Sequence, residues 1–398
     1  MEIYSPNLFI EINSSEYIFI VGDKNENDHF RIIYKNIITN QAISDSKIID
    51  FDLAYNTIKK NLYLMEQELN YTFKEIILII DNFNCSFVNL AGYKKLNGSQ
   101  ILKENITYIL NSLKSNIDEF EDQKTILHIF NSKYCLDKKN IENIPIGLFG
   151  DFYSQELSFN LINNNDFNNL NNIFDKCNLK IKKILLKSFV EGAYLSNKNP
   201  NIDTFFLTKI NENNSKIFFF ENNALKFEQN FSFGSNLVIN DISKITSLNK
   251  SIVKKILSNS KLTEETLDQE LVEKELFENE NYRKIKKKLI FEIAAARIKE
   301  LSEVLIKKNI NFENFHKKDL IIFLKIKDRL NLECFKNSYS LYFSKNNYFT
   351  IKFINSIETN DLVDNANTLV NYGWKKEAVP VIQPKKSLIV RLFDTIFN

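Results

Sequence analysis

Glycine and proline are scarce in this chain, with 8 and 5 copies among 398 residues. Loops that bind phosphate normally rely on glycine, because the backbone must curl tightly around the anion. No two glycines are adjacent in the sequence. A Gly-Gly turn, and with it a conventional glycine-rich nucleotide cradle, is therefore excluded.

Other common signals are also missing. The four cysteines form no C-x-x-C pair, and His29, His128 and His316 are too far apart to suggest a metal cluster. The N-terminus does not resemble a signal peptide, and no apolar run approaches the roughly 18 residues of a membrane span. The formal charge of +2 gives no overall field for nucleic acid. We expect a cytosolic protein, unless a peripheral element holds it to a membrane.

The same pattern of predicted strands begins twice in the chain. Apolar runs at Leu8–Ile12 and Tyr17–Val21 flank a polar turn and predict a β-hairpin. From residue 204, the runs Phe205–Ile210, Lys216–Phe220 and Ala224–Phe231 repeat this order of strand, polar turn and strand. The pattern predicts an α/β protein with an internal duplication.

A charged segment precedes the longest helical pattern of the second half. Residues 263–280 are acidic, and residues 283–288 are basic. Apolar residues from Leu289 to Leu305 then recur at helical spacing. We expect one long helix that carries the basic run at its start.

The last 14 residues form a separate amphipathic pattern. An apolar stripe with basic flanks and two aromatics is typical of a helix that lies in a membrane interface. The stripe is Leu388, Ile389, Leu392, Phe393, Ile396 and Phe397, and the basic residues are Lys385, Lys386 and Arg391. The alternative is a last helix docked on its own body. The linker before it, residues 374–384, can reach about 35 Å, which is more than local docking needs.

Several blocks, in order, resemble the bacterial cell-division protein FtsA, an actin-like family. They are FIEINSSEYIFIVGD from Phe9, the stretch from Ile126 to Gly150 that ends in IPIGLFG, FSFGSNLVINDIS from Phe231, AAARIKEL from Ala294, LVNYG ending at Gly373, and the terminal helix. The internal duplication is also how actin-like ATPases are built. The PilM-type proteins of type IV pili share the inserted subdomain of FtsA but lack the tail.

The resemblance implies an actin-like two-lobed α/β fold with an FtsA-type replaced subdomain and a C-terminal amphipathic helix. The expected segments are the first-lobe core at 1–82 and 164–190, the inserted subdomain at 83–163, the second-lobe core at 191–244 and 316–373, the second-lobe outer subdomain at 245–315, the linker at 374–384 and the membrane-targeting helix at 385–398.

The resemblance also locates three nucleotide loops, all of them altered. The matching residues are Glu11, Asn13, Ser14 and Ser15 in the first loop, Asn211, Asn213, Asn214 and Ser215 in the second, and Gly234, Ser235 and Asn236 in the third. Lys209 stands where the family has a metal-organising acid, and Lys325 to Asp328 stand where a Gly-Gly turn meets adenosine. We expect a degraded site with no catalytic residue and no metal ligand set. ATP with magnesium is implied only by the family.

In function, the resemblance implies a scaffold that anchors FtsZ filaments to the inner face of the cytoplasmic membrane at the division site. The implied partners are the FtsZ C-terminal tail, the membrane surface, later division proteins and further copies of the chain, without nucleic acid. Arg297 matches the family's partner-binding arginine; the alternative is that it pairs with a neighbouring acid. The rival functions are a PilM-like pilus adaptor and an active actin-like ATPase or kinase.

Overall fold

The computed structural model describes residues 6–24, 30–44, 47–81, 83–259, 270–277, 280–313, 320–344 and 348–378. These form two compact units. The first contains the described residues up to Lys187 and those from Ala366 onward, and the second contains Ser188–Asn365. Strands and helices are numbered along the chain.

The first unit contains a five-stranded sheet and a separate four-stranded sheet. The five-stranded sheet has the order β11-β6-β1-β2-β3. Its strands are β1 (Asn7–Ile12), β2 (Glu16–Lys24), β3 (Phe30–Thr39), β6 (Glu75–Ile80) and β11 (Lys180–Leu186), and a short ribbon follows β3 with β4 (Ile43–Ser44) and β5 (Lys47–Ile48). β1 pairs with β2 antiparallel and with β6 parallel, so it lies at the centre of the sheet. After Glu75, the five remaining residues of β6 are all apolar and buried, as expected of a strand covered on both faces.

Helices α1 (Phe51–Leu69) and α3 (Asn164–Lys176) of this unit each bury one largely apolar face. Asp50 caps α1 by accepting a hydrogen bond from the backbone N–H of Leu53, and Asn70 ends the helix in the left-handed conformation that asparagine tolerates.

The four-stranded sheet has the order β7-β10-β8-β9 and is antiparallel throughout. Its strands are β7 (Cys85–Lys95), β8 (Lys124–Leu136), β9 (Lys139–Ile141) and β10 (Phe152–Asn163). Helix α2 (Lys103–Phe120) buries Ile109, Leu110, Leu113 and Ile117 in a core shared with the sheet. The four-stranded sheet and α2 therefore form an apolar core of their own.

The second unit contains a five-stranded sheet of order β14-β13-β12-β15-β16. Its strands are β12 (Phe205–Ile210), β13 (Ser215–Glu221), β14 (Ala224–Phe231), β15 (Leu320–Ile326) and β16 (Phe349–Phe353). Its helices are α5 (Asn236–Thr246), α6 (Lys250–Asn259), a 3-10 turn (Lys274–Phe277), α7 (Lys287–Ser302), a π turn (Glu303–Lys307), α8 (Ile310–Glu313) and α9 (Arg329–Phe343). Helices α4 (Lys187–Lys198) and α10 (Thr359–Tyr372) cross the division between the units in sequence.

The two five-stranded sheets share one topology. In each, three consecutive strands pair antiparallel, a fourth strand pairs with the first in parallel, and a fifth strand pairs with the fourth in parallel. The order is therefore third-second-first-fourth-fifth in both units. This is the internal duplication that the sequence predicts.

Only the end of the basic run lies on the long helix, whereas the whole run was expected there. Helix α7 begins at Lys287, so Arg283, Lys284 and Lys286 precede it. Lys286 instead bridges to Leu271, and Lys287 is buried and pairs with Glu270 and Glu273. These contacts with the acidic segment lie where the helix begins, and sequence periodicity alone does not reveal them.

Candidate functional site

The first candidate loop is the turn between β1 and β2. The side-chain Oδ1 of Asn13 accepts hydrogen bonds from the backbone N–H groups of Ser15 and Glu16, at 2.9 and 2.8 Å, and from the Ser15 hydroxyl at 3.0 Å. Ser14 is exposed at the tip of the turn. Phosphate loops hold their ligand through such backbone donors. Here an asparagine side chain takes two of them, so the loop is closed on itself.

Glu11 of the first loop is part of an ion pair. Its side chain is 4% exposed, and Oε1 lies 2.5 Å from Nζ of Lys187. The same ammonium lies 3.9 Å from Oδ2 of Asp81. A lysine ammonium thus lies between the two carboxylates, where it would repel a divalent cation. The donor set of this loop does not fit magnesium.

The second and third candidate loops meet. The backbone N–H of Asn211 donates to the carbonyl of Asn214 at 2.9 Å, which closes the hairpin between β12 and β13. The N–H groups of Ser235 and Asn236 donate to the carbonyls of Asn211 and Glu212, both at 2.9 Å. Two side-chain bonds complete the contact: Asn236 Nδ2 to Asn213 Oδ1 at 2.9 Å, and Ser215 Oγ to the carbonyl of Phe233 at 2.8 Å. The structure therefore brings together the seven candidate residues of these loops.

Gly234 is required for this contact. A Cβ atom at this position would lie 2.1 Å from the Asn211 carbonyl oxygen. The amides next to Gly234, at the start of α5, are the donors that a helix N-terminus can offer to an anion. Because backbone carbonyls of the hairpin already accept from Ser235 and Asn236, this capacity is used within the protein.

Lys209 is also part of a buried ion pair. Its ammonium contacts the Glu191 carboxylate of helix α4, and both side chains are less than a tenth exposed. The other Glu191 oxygen lies 3.6 Å from Nζ of Lys325. Two lysines therefore neutralise one carboxylate beside the second loop, and this donor set does not fit magnesium either. At the expected adenosine segment, Asp328 caps helix α9 by accepting from the backbone N–H groups of Leu330 and Asn331.

Arg297 lies in a groove of about 380 Å³ between α5 and α7. The groove is lined by Asp241, Ile245, Glu292, Ile293, Ala296, Arg297 and Glu300. Nε of Arg297 pairs with the Asp241 carboxylate, and Nη1 lies 2.8 Å from Glu300. The hydrogen bond that Arg297 donates to Asp241 raises the pKa of the guanidinium. Arg297 therefore does pair with neighbouring acids, and the groove carries three carboxylates to one cation.

The nine residues predicted to bind membrane, Lys385, Lys386, Leu388, Ile389, Arg391, Leu392, Phe393, Ile396 and Phe397, lie outside the described residues. Among the residues that are described, no helix is both long and apolar enough to cross a bilayer.

Sequence reasoning missed the partners of the candidate acids. Lys187 directly follows β11, and Asp81 directly follows β6, which lies between β11 and β1. The carboxyl ends of parallel strands meet at one edge of a sheet, so charged residues directly after such strands lie near each other. This signal was present, but it required the strand order to be known.

Comparison with known proteins supports the resemblance. No family model matches the chain. The chain is 20% identical over 248 residues to the cell division protein FtsA of Buchnera aphidicola subsp. Acyrthosiphon pisum, which covers 62% of this chain and 59% of that protein. It is 22% identical over 264 residues to FtsA of Buchnera aphidicola subsp. Baizongia pistaciae, which covers 64% and 62%. The chain thus matches about three fifths of the length of these curated relatives.

One solved structure supports the fold. The PilM-PilN type IV pilus biogenesis complex matches with a TM-score of 0.55 at 8% identity, covering 92% of this chain and 98% of that chain. At this identity the likeness concerns the fold alone. Together with the duplicated sheets and the two FtsA matches, it confirms the fold class and the resemblance expected from the sequence. The chain is therefore similar in sequence to the FtsA proteins and has an actin-like fold.

Proposed function

We propose that the chain is a cell-division scaffold that ties FtsZ filaments to the inner face of the cytoplasmic membrane at the division site. The observation that carries this proposal is the match to two FtsA proteins on a duplicated actin-like fold. In this role the chain would also help to assemble later division proteins and contact further copies of itself.

The scaffold would work without conventional nucleotide turnover. Lys187 is paired with Glu11 and Lys209 with Glu191, so an ammonium neutralises the acid beside each hairpin. The Asn13 side chain and the Asn211 and Glu212 carbonyls bind the nearby backbone donors. These contacts supply internally the charge and hydrogen bonds that Mg-ATP would otherwise provide.

The groove between α5 and α7 is the proposed site for the FtsZ tail. A peptide carboxylate can bind an arginine through paired charge-assisted hydrogen bonds. Here it would compete with Asp241 and Glu300 for Arg297, because both acids already bind that guanidinium. Removing the charge of Asp241 or of Glu300 should therefore increase the affinity of the groove for an acidic peptide.

The membrane contact is proposed for residues 385–398. One short amphipathic helix binds lipid only marginally, so several copies assembled on an FtsZ filament would add avidity. This arrangement makes membrane binding depend on the partner filament, which suits a protein that acts at one place in the cell.

The deciding experiment is a binding titration of the purified full chain with a fluorescent FtsZ C-terminal peptide. A scrambled peptide of the same composition controls for charge alone. We expect saturable binding that the scrambled peptide lacks. Equal binding of both peptides, or of neither, would remove the FtsZ part of the proposal.

A second candidate follows from the fold comparison. The PilM-PilN complex shares the fold over 92% of this chain, so a PilM-like adaptor that binds a short pilus peptide is a competing function. A PilN-derived peptide in the same titration separates the two. Specific binding of that peptide, with no response to the FtsZ peptide, would favour the pilus adaptor.

A further inference from the structure

The chain after α10 returns to the four-stranded sheet. We call residues 374–378 the tail root. The backbone N–H of Asn131 donates to the Lys376 carbonyl, and that of Ala378 donates to the Ile129 carbonyl, both at 2.7 Å. Glu377 and Phe130 form an antiparallel bridge. The tail root thus lies along the outer edge of β8, before the segment of β8 that pairs with β9.

The Glu377 side chain is held by two groups. Oε1 lies 3.1 Å from Nδ1 of His128, and Oε2 lies 2.8 Å from Nζ of Lys183 on β11. The carboxylate is 8% exposed and the imidazole is fully buried. The backbone N–H of Leu186 donates to the other ring nitrogen of His128 at 3.4 Å. Both oxygens of Glu377 and both nitrogens of His128 therefore have partners.

The charges of this cluster balance. Burial lowers the pKa of His128, and the nearby Lys183 also lowers it, whereas the hydrogen bond that His128 donates to Glu377 raises it. Burial opposes ionisation of Glu377, but His128 and Lys183 outweigh it and lower the pKa of this carboxyl. A neutral imidazole then donates from Nδ1 to an ionised carboxylate, whose charge Lys183 neutralises. Such a cluster is stable in the interior only while all three members are present.

A second side chain of the tail root is also bound. Lys376 donates from Nζ to the carbonyl of Glu142 at 3.1 Å, and its ammonium lies 5.5 Å from the centre of the Tyr134 ring. Because neighbouring residues of a strand point to opposite faces, Lys376 and Glu377 attach the tail root on two sides.

We propose that the edge of β8, with His128 and Lys183, is a docking site that fixes where residues 379–398 leave the protein. This inference rests on the proposed function only where it assigns a membrane to the last residues. Between the docked root and the predicted helix lie residues 379–384, which span about 20 Å when fully extended. A tether that starts at Ala378 is therefore shorter than one formed by all of residues 374–384.

The test uses the only tryptophan of the chain, Trp374, which lies in the tail root. The variant Lys183→Glu places two carboxylates together and should release the root. We expect a red shift of Trp374 emission and at least about tenfold faster cleavage by trypsin after Lys375 and Lys376, since a lost charge-assisted bond shifts local opening by that factor or more. The double variant Lys183→Glu/Glu377→Lys restores opposite charges and should restore both readouts.

Glu142→Gln is the matched control. It removes an exposed carboxylate near the root, while Lys376 bonds to its backbone carbonyl, which remains. If Lys183→Glu fails to fold, Glu377→Gln keeps the shape of the side chain, and it should raise cleavage by a smaller factor. Unchanged emission and cleavage in a folded Lys183→Glu protein, or in Glu377→Gln, would overturn the docking site.

Deleting residues 385–398 separates this inference from the proposed function. The deletion should abolish co-sedimentation with anionic phospholipid vesicles and leave Trp374 emission and cleavage at the root unchanged. Vesicle binding that survives the deletion would count against the membrane anchor alone. A root released by the deletion would count against the docking site, because the contacts that define the site are made by residues 376–378, outside the deleted segment.

Discussion

Breaking the Glu11–Lys187 ion pair tests most directly the proposal that this pair replaces the charge of a bound ligand at the first loop. The variant Lys187→Met removes the ammonium and keeps most of the side-chain volume. The Glu11 carboxylate, 4% exposed, then loses the cation at 2.5 Å and keeps the Asn13 amide at 3.4 Å. Removing one partner of a buried pair costs about 3–5 kcal/mol. Because Lys187 is 21% exposed, the lower end of this range, about 3 kcal/mol, is expected here.

Thermal unfolding provides the assay. For a unit of this size, about 3 kcal/mol corresponds to a fall in Tm of about 6–12 °C. The double variant Glu11→Met/Lys187→Met removes both charges and should recover most of the loss, because well-packed apolar replacements of buried pairs are often neutral. The control Lys124→Met breaks the pair with Glu121, in which both side chains are more than a quarter exposed. It should change stability by less than about 1 kcal/mol.

Thermal unfolding in the presence of Mg-ATP tests whether Lys187 has replaced the bound magnesium and phosphate. A bound nucleotide at a hundredfold excess over its Kd would stabilise the protein by about 2.7 kcal/mol. We expect no such shift in the unaltered protein. A large magnesium-dependent rise in its Tm would refute the reasoning, since phosphate and metal would then bind in spite of Lys187. A Lys187→Met protein as stable as the parent would refute it independently.

Three further predictions concern partners, membrane and pH. Arg297→Glu should weaken binding of the FtsZ tail peptide by about tenfold or more, since a charge-assisted hydrogen bond contributes about 1.5–3 kcal/mol, and Asp241→Asn should strengthen it; equal affinities in fluorescence titration would exclude Arg297 from the interface. Leu392→Glu should release the protein from anionic vesicles nearly as fully as deletion of residues 385–398, because a charge on the apolar stripe costs several kcal/mol. Burial lowers the pKa of His128, so the unfolded state binds the extra proton and the stability of the docked root falls as the pH drops below 6.5. Trp374 emission titrated from pH 8 to 5 measures this loss, and it should be smaller in His128→Asn than in the parent.

Much of the fold follows from local pattern. The run Ile76–Ile80 is apolar throughout and forms a buried parallel strand, as its composition predicts. The runs from residue 205 to residue 231 form three consecutive antiparallel strands at the predicted places. Such elements were predictable because each depends on the spacing of its own apolar residues and on the polar turns beside them.

The basic run shows where local pattern fails. Helical periodicity correctly predicts the helix from Leu289 onward, but the predicted start of the helix is too early. Lys287 lies within bonding distance of Glu270 and Glu273, and Lys286 bridges to Leu271. Contacts from a segment more than ten residues away therefore set the boundary, which single-sequence reasoning places least reliably.

The ion pairs show a different limit. Glu11 and Lys187 are separated by 176 positions, and His128 and Glu377 by 249. Neither pairing can be recognised from the sequence without the strand order, because the sequence does not show whether a charged residue faces solvent or a distant partner. The sequence located the altered loops through the resemblance, but only the structure shows which groups compensate for the alteration.

That compensation bears directly on the proposed function. A nucleotide site that had only decayed would leave buried acids without counter-charges, and each would cost stability. Here Glu11 is paired with Lys187, and Glu191 with Lys209 and Lys325, so each of these two buried acids has a counter-charge within the protein. The same arrangement in both halves supports the proposal of a scaffold that works without conventional turnover. In that proposal the groove around Arg297 is the surface offered to the partner, and the edge of β8 is occupied by the tail root.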